Sequence, residues 1–436
     1  MKIAFIKVNM MYSKGRDALK PLIFPIVESL TPKEHDIVFY DERIEALPDV
    51  IDAEIIAFSV ETFAARHAYE LAARYKRDKN RIVMGGFHAS AVPDEVMEHA
   101  DTVLVGDAED TWPQYLKDVS NGCEKREYIS ENTCPISFVS NNAGCYDGKK
   151  YLKLGMIQAS RGCKFNCDFC SIKSLYPKGV RKKDINEVVS EIKNSRERLF
   201  FFIDDNLFVN EESARELFNA IIPLKKKWAC QISLEIASNN ELLELMHKAG
   251  CIMVLIGFES LDPRNLELMN KSANLRIRDY EAAIANIYRH GIMIYGMFVL
   301  GYDYDTAQSI KDTYDFALRN HFAVANFNPL MILPGTELFK RMSTEGRLRY
   351  EKWWLDDGYR YGDAMYYPTS MSCEELMLGC RDARYKFNSY GNIVRRMLGA
   401  GVNHAGVFNT VVFLLINIIS RLEIHRKQGK ALGEKR

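Results

Sequence analysis

Three cysteines, Cys163, Cys167 and Cys170, stand within eight residues in the stretch SRGCKFNCDFCSIKS. Their spacing, C-x3-C-x2-C, lets one loop wrap three thiolates around a single metal centre. Thiolates are soft ligands and suit iron–sulfur clusters or zinc. Structural zinc takes four ligands, and the loop offers no obvious fourth Cys or His. Three thiolates on a cubic four-iron cluster leave one iron free to bind a substrate. The rival readings are three ordinary reduced thiols, or zinc completed by a distant residue. Two further groups of polar residues end apolar runs: Asp204, Asp205 and Asn206, and then Glu259 and Ser260. Short acceptors of this kind suit an ammonium group or hydroxyls, and equally an Asx turn or a helix cap. The other cysteines, at 123, 134, 145, 230, 251, 373 and 380, form no second tight group.

The elements that must hold these residues alternate in type. The first part of the chain reads as short apolar strands (KIAFIKV, HDIVFYD, AEIIAFSV, RIVMGG, DTVLVG) with a helical pattern from Phe63 to Arg77. Alternating strands and helices imply a parallel sheet covered on both faces, a doubly wound Rossmann-like domain over residues 1–120. Such sheets bind ligands past the carboxyl ends of their strands. Residues 121–152 are polar and Gly/Asn-rich and read as a linker. A second series then places strands at 154–160, 198–204, 230–236, 252–258, 292–300 and 324–330. Six strands with helices between them predict a partial (β/α)6 barrel over residues 153–335. Its chemistry belongs at the strand ends, where the cysteine loop begins. Residues 336–436 read as a mainly helical C-terminal domain. The late apolar run 407–419 is shorter than a membrane span, and Asn409 and Asn417 interrupt it. A buried or oligomer-contact helix is expected there. Peripheral membrane contact is the alternative, since Arg421, Arg426 and Lys427 follow.

Bulk properties narrow the class. The 436 residues contain 58 Lys+Arg and 58 Asp+Glu, which gives no electrostatic case for nucleic acid. The N-terminal apolar run is too short for a signal peptide, so a cytoplasmic protein with reduced cysteines is expected.

The cysteine signature, with Phe169 before its last member, resembles that of the radical S-adenosylmethionine (SAM) superfamily. FFIDDN (201–206), IGFES (256–260), GIMIYGMFVLG (291–301) and LPGTELF (333–339) follow in the order of the branch with an N-terminal cobalamin-binding-like domain. The resemblance implies that Cys163, Cys167 and Cys170 hold a [4Fe–4S] cluster whose open iron chelates SAM. One electron then cleaves a carbon–sulfur bond to start radical chemistry on a small-molecule substrate. It implies an electron donor such as flavodoxin or ferredoxin. It places Asp204, Asp205 and Asn206 near the methionine part of SAM, Glu259 and Ser260 near its ribose or amino group, and Phe169 against the adenine. Glu235 faces the barrel mouth or a partner cation, Gly296 marks the close approach of a ligand, and Arg161 puts a cation near the cluster or makes a surface salt bridge.

AFSVET, VMGGFHAS and VGDAEDTW in the first domain resemble the cobalamin-binding fold, with Gly85, Gly86, Ser59 and Thr62 as candidate contacts. The D-x-H-x-x-G motif that supplies an axial histidine is absent, and a packed or solvent-facing His88 is expected. Cobalamin-assisted methylation is one implied outcome. Transfer of a 3-amino-3-carboxypropyl group, as in arsinothricin biosynthesis, is another. A non-catalytic metal- or ligand-binding regulator is the reading from a different class.

Overall fold

The computed structural model describes residues 1–11, 14–15 and 18–433. Two six-stranded parallel sheets organise it. The first contains β1 (Lys2–Lys7), β2 (Asp36–Asp41), β3 (Ile55–Ser59), β4 (Arg81–Gly85), β5 (Thr102–Val105) and β6 (Glu127–Ile129). Its spatial order is β2-β1-β3-β4-β5-β6. Helices α1 (Ile23–Leu30), α2 (Ala65–Tyr75), α3 (Phe87–Ala91) and α4 (Ala108–Ser120) connect it. Ile3, Ala4, Phe5 and Ile6 are all buried, the continuous apolar run of a strand covered on both faces. The stretch read as a linker contributes β6, and Cys145 and Tyr146 join the core of this sheet.

The second sheet contains β7 (Gly155–Ile157), β8 (Leu199–Phe202), β9 (Lys227–Ile232), β10 (Cys251–Glu259), β11 (Met293–Leu300) and β12 (Val324–Pro329). These strands lie in strictly sequential order, and β7 and β12 are its edges, so the barrel is open. Its helices start on side-chain caps: Asp184, Asn210 and Asn239 each accept a first-turn N–H. The third strand departs from the sequence reading, beginning at Lys227 and ending at Ile232. The apolar alternation continues through Leu234 and Ile236, but a 3-10 turn, Leu234–Ser238, buries them instead. Glu235 therefore stands past the strand, not on it.

Beyond the barrel come α5 (Cys373–Phe387), α6 (Tyr390–Gly399) and α7 (Gly406–Lys427). Before them, Trp353 and Trp354 lie buried in a run of turns. Trp354 Nε1–H donates to Glu95 Oε1 at 2.9 Å, which fastens this region to the first domain. Tyr69 and His88 also bond that carboxylate, and Lys352 lies 3.1 Å from it. Burial opposes ionisation of Glu95, but these four partners hold its pKa down to about 2. His88 is thus a packed histidine. The chain closes on itself: Gly433 N–H donates to Met10 C=O at 3.0 Å, and Arg66 reaches Leu432 C=O at 2.8 Å. The expectation of a short, buried terminal run is corrected. α7 has 22 residues and is long and apolar enough to cross a membrane, with only 17% of its apolar window buried.

Candidate active site

The cysteine loop begins at Gly162, just past Ser160 and Arg161, which pair antiparallel with Lys182 and Arg181. Gly162 has φ +90°, and a Cβ there would meet Gly179 O at 2.4 Å, so only glycine fits. Backbone bonds then seat the loop on the barrel rim. Asp168 N–H donates to Met269 C=O at 3.2 Å, and Asp168 C=O accepts from Leu338 N–H at 2.9 Å. The Tyr302 hydroxyl donates to the Asp168 carboxylate. The loop is thereby tied to the segments that follow β10, β11 and β12. Cys163, Cys167 and Cys170 are all half-buried there. Burial pushes the Cys167 thiol up to about 12 and the Cys170 thiol up to about 11.

The donor set fits an iron–sulfur cluster: three soft thiols on one loop, at the mouth of a barrel, with no fourth cysteine in the loop. Among the described residues, no three His, Cys, Asp or Glu side chains are gathered closely enough to hold a metal ion, the three cysteines included. Lys271 adds a cation. Burial works to lower its pKa, yet Glu259, at 2.7 Å, and the nearby Cys167 hold it above the usual value.

The residues singled out in the sequence divide into those that face the site and those that hold it. Asp204 is fully buried and accepts from Ala159 N–H at 3.0 Å and Ser160 Oγ–H at 2.6 Å. Burial raises its pKa to about 6. Asp205 accepts from Gly162 N–H at 2.8 Å and lines the cavity described below. Asn206 makes an Asx turn by accepting from Phe208 N–H. Phe169 is half-buried and packs on the core. Glu259 ends β10 at φ +62° and turns its carboxylate onto Lys271. Ser260 serves the capping arrangement: its Oγ accepts from Asp262 N–H, and Asp262 caps the next helix.

Of the two readings of Glu235 the partner cation holds, since it pairs with Lys164 from the cysteine loop and does not face the open mouth as a cofactor contact. One expectation is corrected. At Gly296 the close approach is that of a core ring, since a Cβ would meet Phe322 at 2.6 Å.

Arg161 shows the largest gap between sequence and structure. It is buried and makes a bidentate pair with Glu109 on α4, at 2.9 and 2.8 Å. Asp107 lies 3.1 Å away and also pairs with Arg181. Burial would raise the Glu109 carboxyl, but Arg161 outweighs it and the pKa is lowered. This network locks the cysteine loop to the first sheet. Glu109 and Lys271 carried no local signal in the sequence. VGDAEDTW, which contains Asp107 and Glu109, was the only pointer.

Between the sheets lies a cavity of about 430 Å³. Lys7, Ser59 and Gly86 line it from the carboxyl ends of β1, β3 and β4, and Gln158, Arg161 and Asp205 line it from the barrel. It continues between the first sheet and helices α1 and α4, past Ile26 and Trp112. Gly86 has its own structural reason: at φ +107° a Cβ would meet Val60 O at 2.8 Å. The strand order reverses between β1 and β3, and a crevice at that switch point is where doubly wound sheets take ligands. The apolar walls and polar fringe suit part of a large, partly apolar cofactor, such as the nucleotide tail of a corrinoid. None of the lining residues is a histidine. A smaller apolar pocket of about 180 Å³ adjoins it, sharing Glu61, Phe87 and Leu175. Thr62 lines this pocket, as do Ser171 and Ser174, just after the third cysteine.

A family model described as the radical SAM superfamily matches residues 157–317. The bacteriochlorophyllide d C-12(1)-methyltransferase of Chlorobaculum tepidum is 32% identical over 413 residues, covering 91% of this chain and 88% of that protein. The bacteriochlorophyllide d C-8(2)-methyltransferase of the same organism is 26% identical over 353 residues, covering 75% of this chain and 77% of that one. Among solved structures, the cobalamin-dependent SAM radical enzyme OxsB, with aqua-cobalamin and SAM bound, has the same fold. Its TM-score is 0.61 at 13% identity, over 98% of this chain and 72% of that one.

Proposed function

Because the chain belongs to the radical SAM superfamily, in the branch with an N-terminal cobalamin-binding-like domain, we propose that it is a cobalamin-dependent methyltransferase. It is a radical SAM enzyme that uses a [4Fe–4S] cluster and SAM on a small molecule. The proposal concerns which group is moved and to what. When bound, the cluster supplies one electron to cleave SAM and cobalamin supplies the methyl group.

The chain's own residues supply position and shelter. Cys163, Cys167 and Cys170 hold the cluster. Asp205, Glu259 and Lys271 set charge around SAM, and Gln158 and Asp205 stand where the mouth opens into the crevice. The walls around Ile203, Leu175 and Tyr176 exclude water from that junction. The relatives' names suggest a chlorophyllide-type tetrapyrrole, methylated at a peripheral carbon. The small pocket suits such a flat apolar edge: Phe63, Phe87, Met331 and Leu333 line it, and Phe87 and Met331 are exposed. A one-electron donor of the flavodoxin or ferredoxin type, a cytoplasmic setting and a membrane contact through the C-terminal helix belong to the same reading.

The observation that carries the proposal is the shared cavity. One wall is the switch-point crevice of the first sheet, and the other is the strand end beside the cysteine loop. The test is anaerobic purification with cobalamin supplied, followed by iron and sulfide reconstitution. Incubation with SAM, reductant and a chlorophyllide substrate should give a methylated product and a corrinoid absorption band. SAM cleavage with neither band nor methylated product would overturn it.

A further inference from the structure

The terminal helix is inside out. Along α7, the buried side chains are Asn409, Phe413 and Asn417, four residues apart on one face. The opposite face shows Val407, Val411, Leu414, Leu415, Ile418 and Leu422, 37% to 82% exposed. A helix that merely completes a soluble core has the reverse pattern.

Polar contacts hold it this way. Arg396 on α6 is fully buried; it donates to Phe322 C=O and Ala323 C=O, and to Asn417 Oδ1 at 2.8 Å. Asn417 Nδ2 donates in turn to Ala323 C=O at 3.1 Å. The inner side packs on Ile252, Met253 and Met293, at the amino-terminal ends of the barrel strands. That end is remote from the cysteines. α6 shows a matching outer stripe, Tyr390, Val394 and Leu398. The Arg421 guanidinium lies over the Tyr390 ring at 4.6 Å, so the start of α6 meets the end of α7 and the helices run antiparallel.

Charge selects the occupant. Outside the buried Arg396, residues 390–430 carry Lys and Arg at 395, 421, 426, 427 and 430 and one acid, Glu423. A two-fold contact between copies would set this basic surface against itself. An anionic lipid surface complements it, with apolar side chains entering the acyl boundary and cations at the headgroups. We propose that α6 and α7 form an in-plane anchor that docks the protein on an anionic bilayer without spanning it. The Asn–Arg face remains on the barrel. The proposal deepens the membrane contact named above and is independent of the chemistry at the cysteines.

The test is flotation of the full-length protein with vesicles of phosphatidylcholine alone and with added phosphatidylglycerol. Wild type should float with the anionic vesicles and be released by salt. Leu415→Glu with Leu422→Glu should weaken partitioning roughly tenfold or more, with iron content and melting unchanged. Failure to float, or equal partitioning into neutral vesicles, would overturn the assignment to anionic lipid. Self-association in sedimentation velocity, abolished by the same substitutions, would overturn it in favour of a second copy. Flotation by a protein that never methylates would leave the anchor standing and remove the methyltransferase reading.

Discussion

The two sheets use the same parts differently. Both have six parallel strands, and both present a candidate site at the carboxyl ends of those strands. The first reverses its strand order between β1 and β3, so connections leave to opposite faces and a crevice opens between them. The second never reverses, so it curls, and its site is a rim assembled from loops after successive strands. A crevice needs space and few side chains of its own, whereas a rim needs donors held from several directions. That is why the thiols crowd the barrel rim, while the first sheet lines its crevice with Gly85, Gly86, Ser59 and apolar side chains beside a few charges such as Lys7 and Glu61.

The contrast can be broken most severely at the cysteines. Replacing any one of Cys163, Cys167 or Cys170 by Ala should remove cluster absorbance and lower turnover by roughly three orders of magnitude or more. Corrinoid uptake by the first sheet should survive. If a variant keeps its cluster, the ligand assignment is wrong.

Glu109→Gln attacks the joint between the sheets. It takes the bidentate partner from the buried Arg161 guanidinium and leaves it Asp107, already shared with Arg181, at a cost of about 3 kcal/mol in denaturant melts. Turnover should fall while both cofactors still load. An unchanged melt would mean that the sheets are not coupled through this pair.

Gly85→Leu sharpens the comparison from the other side. A Cβ there has ordinary contacts, 3.5 Å from Leu104, and the larger side chain fills the crevice. Corrinoid affinity should fall roughly ten- to hundredfold, equivalent to about 1–3 kcal/mol, with the cluster intact. Normal corrinoid titration of this variant would place that cofactor elsewhere.

The smallest expected effect lies at Asp204. Its folded pKa, about 6, is above the ordinary carboxylate value of 3.8, so the folded state holds the proton more tightly. Its contribution to stability is therefore greatest below pH ~4 and is lost as pH rises towards ~6. Asp204→Asn can keep both bonds, accepting from Ala159 and donating to Ser160. It should match wild type below pH ~4 and exceed it by about 1–3 kcal/mol at pH ~8. Melts at several pH values decide this, since a pH-independent difference would show that Asp204 does not titrate in the folded protein.

The legible part of the site was the local part. The cysteine spacing states its chemistry within one loop, and both parallel sheets could be read from alternating apolar runs. Glu109 was not legible as the partner of Arg161, because the two are 52 residues apart and meet only once both sheets are packed. Glu235 was misplaced because a 3-10 turn after a strand can bury alternate residues as a strand does. Gly296 looked like room for a ligand, and only the fold shows that Phe322 fills it. The terminal helix misled through its asparagines: they look like interruptions of an apolar run, yet they are its inward face.

The hydrogen bond from Gly433 to Met10 has a consequence for synthesis. It joins residues from opposite flanks of the fold, so it cannot form until Gly433 has left the ribosome. The first sheet can pair its strands as soon as β6 has emerged, before the barrel wall of the crevice exists and well before Trp354 arrives to bond Glu95. For that interval the nascent protein presents only the first-sheet half of the crevice, which stays open until the barrel strands arrive to wall it.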